Sequence, residues 1–333
     1  MTEVSRRTVL AGAIAAGAAA TLSPITAIGP AKASTPLQGK QAPGWYRYKV
    51  GEIEVTVVTD GARTFPLTDS YVTNIKKEEV SAMLAANFLD PANITNSYSP
   101  IVVNTGSKLV LIDTGNGPAA AALPNSSYGQ LPLNLAAAGI DPGAIDVVVI
   151  SHFHGDHVNG LLTADNKLAF PNAEVMVPSV EWKFWTDDEE MSRAPEGRMA
   201  TQFKNNRRVF DALNRKVTQY DWNKEVAPGI TPVATVGHTP GHTSFIVSSG
   251  SGKIYVQSDL THHTALFAGN PGWHVFLDQD PSMAEATRRK VYDMIVAEKL
   301  MVQGFHAPFP GIGHLEKAGN GYRFVPAPWN PSV

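Results

Sequence analysis

Val147-Val148-Val149-Ile150-Ser151-His152-Phe153-His154-Gly155-Asp156-His157-Val158-Asn159-Gly160 is the stretch that organises the chain. Its first four residues are β-branched and apolar, a short unbroken run suited to a strand buried on both faces. The chain then turns polar at once, supplying His152, His154, Asp156 and His157. Side chains two apart in an extended segment share a direction, so His152 and His154 can grip one cation together. Gly155 is expected to let the backbone turn, sending Asp156 and His157 toward a second position. Imidazole and carboxylate together suit zinc or a similar first-row divalent ion. One or two histidines at a strand end would pass as surface residues; this density at this spacing indicates a metal site.

Other polar groups follow strand-like runs in the same way. Thr235-Val236-Gly237-His238-Thr239-Pro240-Gly241-His242 closes one such run, and Ser258-Asp259 follows another at 253–257. Gly304-Phe305-His306 comes after Leu300-Met301-Val302, and Leu111-Ile112-Asp113-Thr114-Gly115 lies upstream. With His-x-His-x-Asp-His, these motifs resemble the metallo-β-lactamase superfamily, in family order and over essentially the whole chain after its leader. The resemblance implies an α/β fold, a four-layer αβ/βα sandwich with a duplicated β-layer. It also implies two divalent ions, zinc before manganese, iron or cobalt. His152, His154 and His238 would take one ion, and Asp156, His157 and His306 the other. Asp259 would bridge them, while Asp113 and His242 orient the ligands. Asp156 and Asp259 then help hold a hydroxide between the metals, which is the implied nucleophile, since bound water loses a proton near neutrality.

The same motifs separate subclasses. The best-known metallo-β-lactamases carry cysteine or serine where Asp259 stands, and flavo-diiron proteins carry glutamate at the place of His154. Glyoxalase II has a C-terminal helical domain for which the tail after His306 is too short. Residues 305–315 and 321–326, and Ser258-Asp259-Leu260-Thr261-His262, resemble methyl parathion hydrolase-like enzymes, which implies hydrolysis of organophosphate triesters and aryl esters. Quorum-quenching lactonases typically have tyrosine where His262 stands; a lactonase, acting for instance on N-acyl homoserine lactones, is the alternative. A silent metal- or ligand-binding member of the fold is a further one. Trp182, Trp185, His262, Phe267 and Trp273 are the candidate substrate-pocket residues, with Trp273 in a Gly/Pro-rich stretch that could gate entry.

Composition narrows the class. The 333 residues are 43% hydrophobic and 17% charged, with net charge −3 and no cysteine. Disulfides, thiolate metal sites and a cysteine nucleophile are therefore excluded. Without residues 1–33 the charge is 24 basic against 29 acidic, or −5, which offers no basic footprint for nucleic acid. Ser5-Arg6-Arg7 opens an Ala/Gly-rich run ending near Leu22, and Ala31-Lys32-Ala33 offers a cleavage point before Ser34. This pattern is expected of a twin-arginine export signal over 1–33, hence a bacterial periplasmic or secreted protein. The run is too short for a membrane anchor. A linker at 34–44 and one catalytic domain over 45–333 complete the organisation; monomer and homodimer both stay open. Strands are expected at 46–50, 53–59, 101–104, 108–112, 174–177, 230–236, 245–248 and 253–257, and helices near 76–87, 129–139, 199–213 and 284–299.

Overall fold

The computed structural model describes residues 41–333, with Leu37 and Gly39 before them. The expected leader and part of the expected linker lie outside the described residues. Strands β1 (Trp45–Val50) and β2 (Ile53–Val58) pair antiparallel, and a separate hairpin joins β3 (Gly61–Pro66) to β4 (Asn93–Tyr98). β5 (Ile101–Asn104), β6 (Leu109–Ile112), β7 (Val147–Val149), β8 (Glu174–Pro178) and β9 (Thr218–Tyr220) follow. They complete a seven-stranded sheet in the order β1-β2-β5-β6-β7-β8-β9, parallel from β6 onward. The second sheet has six strands in chain order: β10 (Ile230–Ala234), β11 (Thr243–Ser249), β12 (Gly252–Val256), β13 (Met301–Gln303), β14 (Ile312–Ala318) and β15 (Gly321–Pro326).

The valine run does what its composition requires. Val147 and Val149 face the second sheet, in a core shared with Val55, Val57, Phe245, Val247 and Ile254. Val148 and Ile150 point the other way, against Leu135, Phe153, Trp185 and Phe203. Helices α1 (Lys77–Ala86), α2 (Leu131–Ala137), α3 (Gly155–Val158), α4 (Ser179–Thr186), α5 (Arg198–Ala212) and α6 (Pro281–Glu298) flank the sheets. α2, α4 and α5 cover the outer face of the first sheet, and α6 covers the second through Val291, Tyr292 and Ile295. The result is the four-layer αβ/βα sandwich. Each fully buried aliphatic or aromatic side chain contributes roughly 1.5–3 kcal/mol, so both sheet faces stabilise it.

Two local differences from expectation have physical causes. α6 begins three residues before the expected 284, because Asp280 caps it, accepting from the Met283 amide at 2.9 Å, and Pro281 occupies the first turn. Gly155 makes the turn expected of it. It opens α3, where a Cβ would meet Asn159 Nδ2 at 2.9 Å. The β3–β4 hairpin was not expected at all; its two strands are largely polar and separated by α1 and two loops, so no short-range turn signal joins them.

Candidate metal centre and its cavity

The carboxyl ends of β7, β10, β12 and β13 lead to the loops bearing His152–His157, His238, Asp259 and His306. The side chains meet in two groups whose donor atoms lie within 4.8 Å of one another: His152, His154, His238 and Asp259, then Asp156, His157, Asp259 and His306. Asp259 belongs to both. His152 Nε2 and His238 Nε2 lie 3.1 and 2.8 Å from His154 Nδ1. They are 3.7 and 3.4 Å from Asp259 Oδ2. On the other side, His157 Nε2 is 3.1 Å from Asp259 Oδ1, and His306 Nε2 is 3.5 Å from Asp156 Oδ2 and 3.1 Å from Asp259 Oδ2. All these side chains are buried except Asp156, which is partly open.

Most of the histidines are held from behind by their second nitrogen. His157 Nδ1 lies 2.8 Å from Asp113 Oδ2, and His238 Nδ1 lies 2.8 Å from Asp278 Oδ1. His306 Nδ1 donates to the Ser97 carbonyl at 2.8 Å, and His152 Nδ1 lies 3.0 Å from Ser151 Oγ. Such partners fix the tautomer and turn the free nitrogen inward. His242 lies behind Asp259: its Nε2 accepts from the Asp259 amide at 3.0 Å, and its Nδ1 lies 3.0 Å from the Thr235 carbonyl.

The electrostatics are those of carboxylates ringed by imidazoles. Burial lowers the pKa of His152 and His154 well below the usual imidazole range. For His238 burial works in the same direction, yet Asp259 and Asp278 overcome it and raise the value to about 9. Burial would raise Asp259, but His306, His157 and His152 hold it well below the usual carboxylate range. The donor set fits two divalent cations. Among the described residues His157 Nε2 and Asp259 Oδ1 are buried without a hydrogen-bond partner, and all donors are nitrogen or oxygen. Cations would take the place of protons here, so binding releases protons.

Above the centre lies a cavity of about 480 Å3. Phe65, Pro66, Phe276 and Leu277 supply its apolar surface, while Arg63, Asn96, Tyr98, Arg198 and Gln202 supply polar groups. The expected pocket residues lie elsewhere. Trp185 is 1% exposed, packed on Phe203 and Phe184, with its indole N–H on Glu181 Oε2 at 2.7 Å. Trp182 packs on Phe153 and Phe210. Phe267 is fully buried and Trp273 packs against the same cluster as Leu67 and Tyr71. These aromatics build core and do not line the cavity. His262 is also inside: it stacks on His306 at 5.3 Å, with Nε2 3.4 Å from Asp259 Oδ2.

Several residues of the site carried no obvious signal in the chain. Asp278 reaches His238 across 40 positions and is itself paired with buried Arg288 at 3.4 Å. Glu181 accepts from the Phe153 and Gly241 amides at 3.0 and 2.6 Å, stapling the two histidine-bearing loops together. A carboxylate inside an aromatic-rich helical run was the one clue to it. Tyr98 meets His306 edge-on at 5.5 Å.

Residues 95–298 match the Metallo-beta-lactamase superfamily. An N-acyl homoserine lactonase of Bacillus thuringiensis is 25% identical over 210 residues, covering 61% of this chain and 74% of the relative. Among solved structures, AidC, a dizinc quorum-quenching lactonase in complex with a product, superposes with a TM-score of 0.80 at 28% identity. That match covers 86% of this chain and 98% of the other. The hydrolase AbOPH of the beta lactamase superfamily gives 0.79 at 28% identity, covering 87% and 100%.

Proposed function

Because the chain belongs to the metallo-beta-lactamase superfamily, we propose that it is a two-zinc lactonase acting on N-acyl homoserine lactones. His152, His154 and His238 would hold one zinc, Asp156, His157 and His306 would hold the other, and Asp259 is placed to serve both. The carrying observation is that two donor clusters share one carboxylate beneath a cavity with both apolar and polar walls. The lactonases among its relatives support the same substrate class. Organophosphate triesters, expected from residues 305–315 and 321–326, take second place. Those residues mostly form β14, β15 and the loop before them, and of them only His306 lines the cavity, so the rest of that resemblance concerns the scaffold.

Zinc bound at this centre supplies Lewis acidity and a water acidic near neutrality. The chain's own groups do the remaining work. Asp113, Asp278 and the Ser97 carbonyl keep imidazole nitrogens aimed inward. Asp156 and Asp259 offset part of the cationic charge, leaving the centre electrophilic. Phe65, Pro66, Phe276 and Leu277 offer apolar contact to an acyl chain and exclude water from it. Burial and the nearby Asp156 push the Tyr98 pKa up, so its hydroxyl stays a donor at neutral pH.

A kcat/KM panel of N-acyl homoserine lactones, aryl esters and methyl parathion on zinc-loaded protein tests the assignment. Lactones are expected to lead by about tenfold or more, a difference of about 1.4 kcal/mol. Faster turnover of the phosphotriester or the aryl ester would overturn it. Export in folded form through the twin-arginine machinery belongs to the same proposal. N-terminal sequencing of secreted protein should begin near Ser34; a start at Met1 would contradict it.

A further inference from the structure

Two cationic side chains line the metal cavity, Arg63 from β3 and Arg198 from the first turn of α5. Among the described residues neither forms an ion pair with a carboxylate, unlike Arg207, Arg215, Arg288 and Arg323. Arg198 is nonetheless held in place. Its Nη2 donates to the Phe276 carbonyl at 3.1 Å, and its guanidinium carbon lies 5.7 Å from the Phe276 ring centre. Gln202, one turn along α5, lines the same cavity and is anchored to the Phe153 carbonyl.

A guanidinium has five N–H donors in a rigid fork, and here one acceptor is found for them among the described residues. The scissile carbonyl needs no further cation, since that polarisation falls to the metal centre. Apolar walls alone would serve a plain alkyl chain. Arg198 is exposed, tethered at one nitrogen with its other donors open to the cavity and solvent. A fork so placed beside the apolar walls suits a second acceptor on the same substrate. We infer that Arg198 is a specificity-determining residue that donates to an amide carbonyl carried next to the scissile lactone ring, with Arg63 reinforcing the positive field. This rests on the lactonase reading and deepens it. A site built to hydrogen-bond a substrate group discriminates against the analogue lacking it far more strongly than an apolar pocket discriminates by size.

The test compares N-hexanoyl homoserine lactone with an alkyl γ-lactone of matched length and no amide. Arg198→Met should raise KM for the first about tenfold, with kcat moving much less, and should affect the second far more weakly. Arg198→Lys should recover part of the loss by keeping the charge. Zinc content and Tm of both variants exclude a merely structural effect. Equal losses on both substrates, or none on either, would overturn the inference. Should wild-type protein turn over neither lactone, the lactonase reading fails by itself. Calorimetric binding of ring-opened N-hexanoyl homoserine then decides for Arg198: about tenfold weaker binding by Arg198→Met supports the contact, and equal binding refutes it.

Discussion

The metal floor of the cavity and the wall above it are assembled differently. Floor residues sit within a few positions of strand ends, at the edge where both sheets present their carboxyl termini, and the sandwich core fixes those ends relative to one another. Wall residues come from the β3–β4 hairpin, the start of α5 and the segment around Phe276. The hairpin and the Phe276 segment lie outside the two main sheets, and α5 lends Arg198 and Gln202 to the wall while its Phe203, Val209 and Phe210 pack in the core. The floor therefore carries chemistry the fold almost dictates, whereas the wall carries selectivity that can change without touching the core. Substitutions in the floor should act on metal and turnover together, and substitutions in the wall on KM.

Asp259→Asn should have the largest effect. It removes the charge common to both clusters, and turnover should fall about a thousandfold, with zinc content dropping below two per chain by elemental analysis. Near-normal turnover in that variant would erase the distinction between floor and wall. Asp278→Asn leaves both clusters that share Asp259 complete but weakens the hold on His238 Nδ1 by removing the carboxylate charge. Zinc affinity should weaken about 10–100-fold in competition with a chelator, while KM measured at saturating zinc changes little.

Acid should act through the floor as well. Burial keeps His242 neutral in the folded protein down to about pH 3. An unfolded imidazole takes up a proton near pH 6.5, so between those values unfolding binds a proton and stability falls as pH falls. By pH 5 this one residue accounts for about 2 kcal/mol, and His242→Asn should flatten that part of the pH–stability curve measured by denaturant titration.

The smallest effects on the reaction are expected from the tryptophans. Trp273→Ala should leave KM for lactones and aryl esters within about twofold, because its side chain packs in the cluster behind Phe65 and Leu277 and does not itself line the cavity. Trp185→Ala should cost about 3–5 kcal/mol of stability by creating a core cavity, with KM of the folded fraction little changed. A large KM effect from either would place that side chain in the wall after all.

How much of this was legible in the chain follows the same division. The β-branched run Val147–Ile150, the histidine spacing and the polar residues after strand-like segments identified the floor, because metal coordination demands particular residue types at strand ends. Asp113 and His242 could be placed behind the ligands from their motifs alone. Asp278 could not, since it belongs to none of the motifs and only the folded chain brings position 278 to His238. The aromatic cluster misled for a related reason. Trp182, Phe184 and Trp185 lie on one short helix whose apolar side closes the core, and large aromatics serve a core as readily as a pocket. The actual wall, Phe65, Tyr98, Arg198 and Phe276, is drawn from four separated segments with no shared periodicity.

The account stands on two zinc ions sharing Asp259. Anomalous scattering from crystals of the zinc-loaded protein, with elemental analysis of the same preparation, measures this most directly. Two zinc ions per chain are expected, one among His152, His154 and His238, the other among Asp156, His157 and His306, each in contact with Asp259. A single ion, or ions held by other side chains, would contradict it.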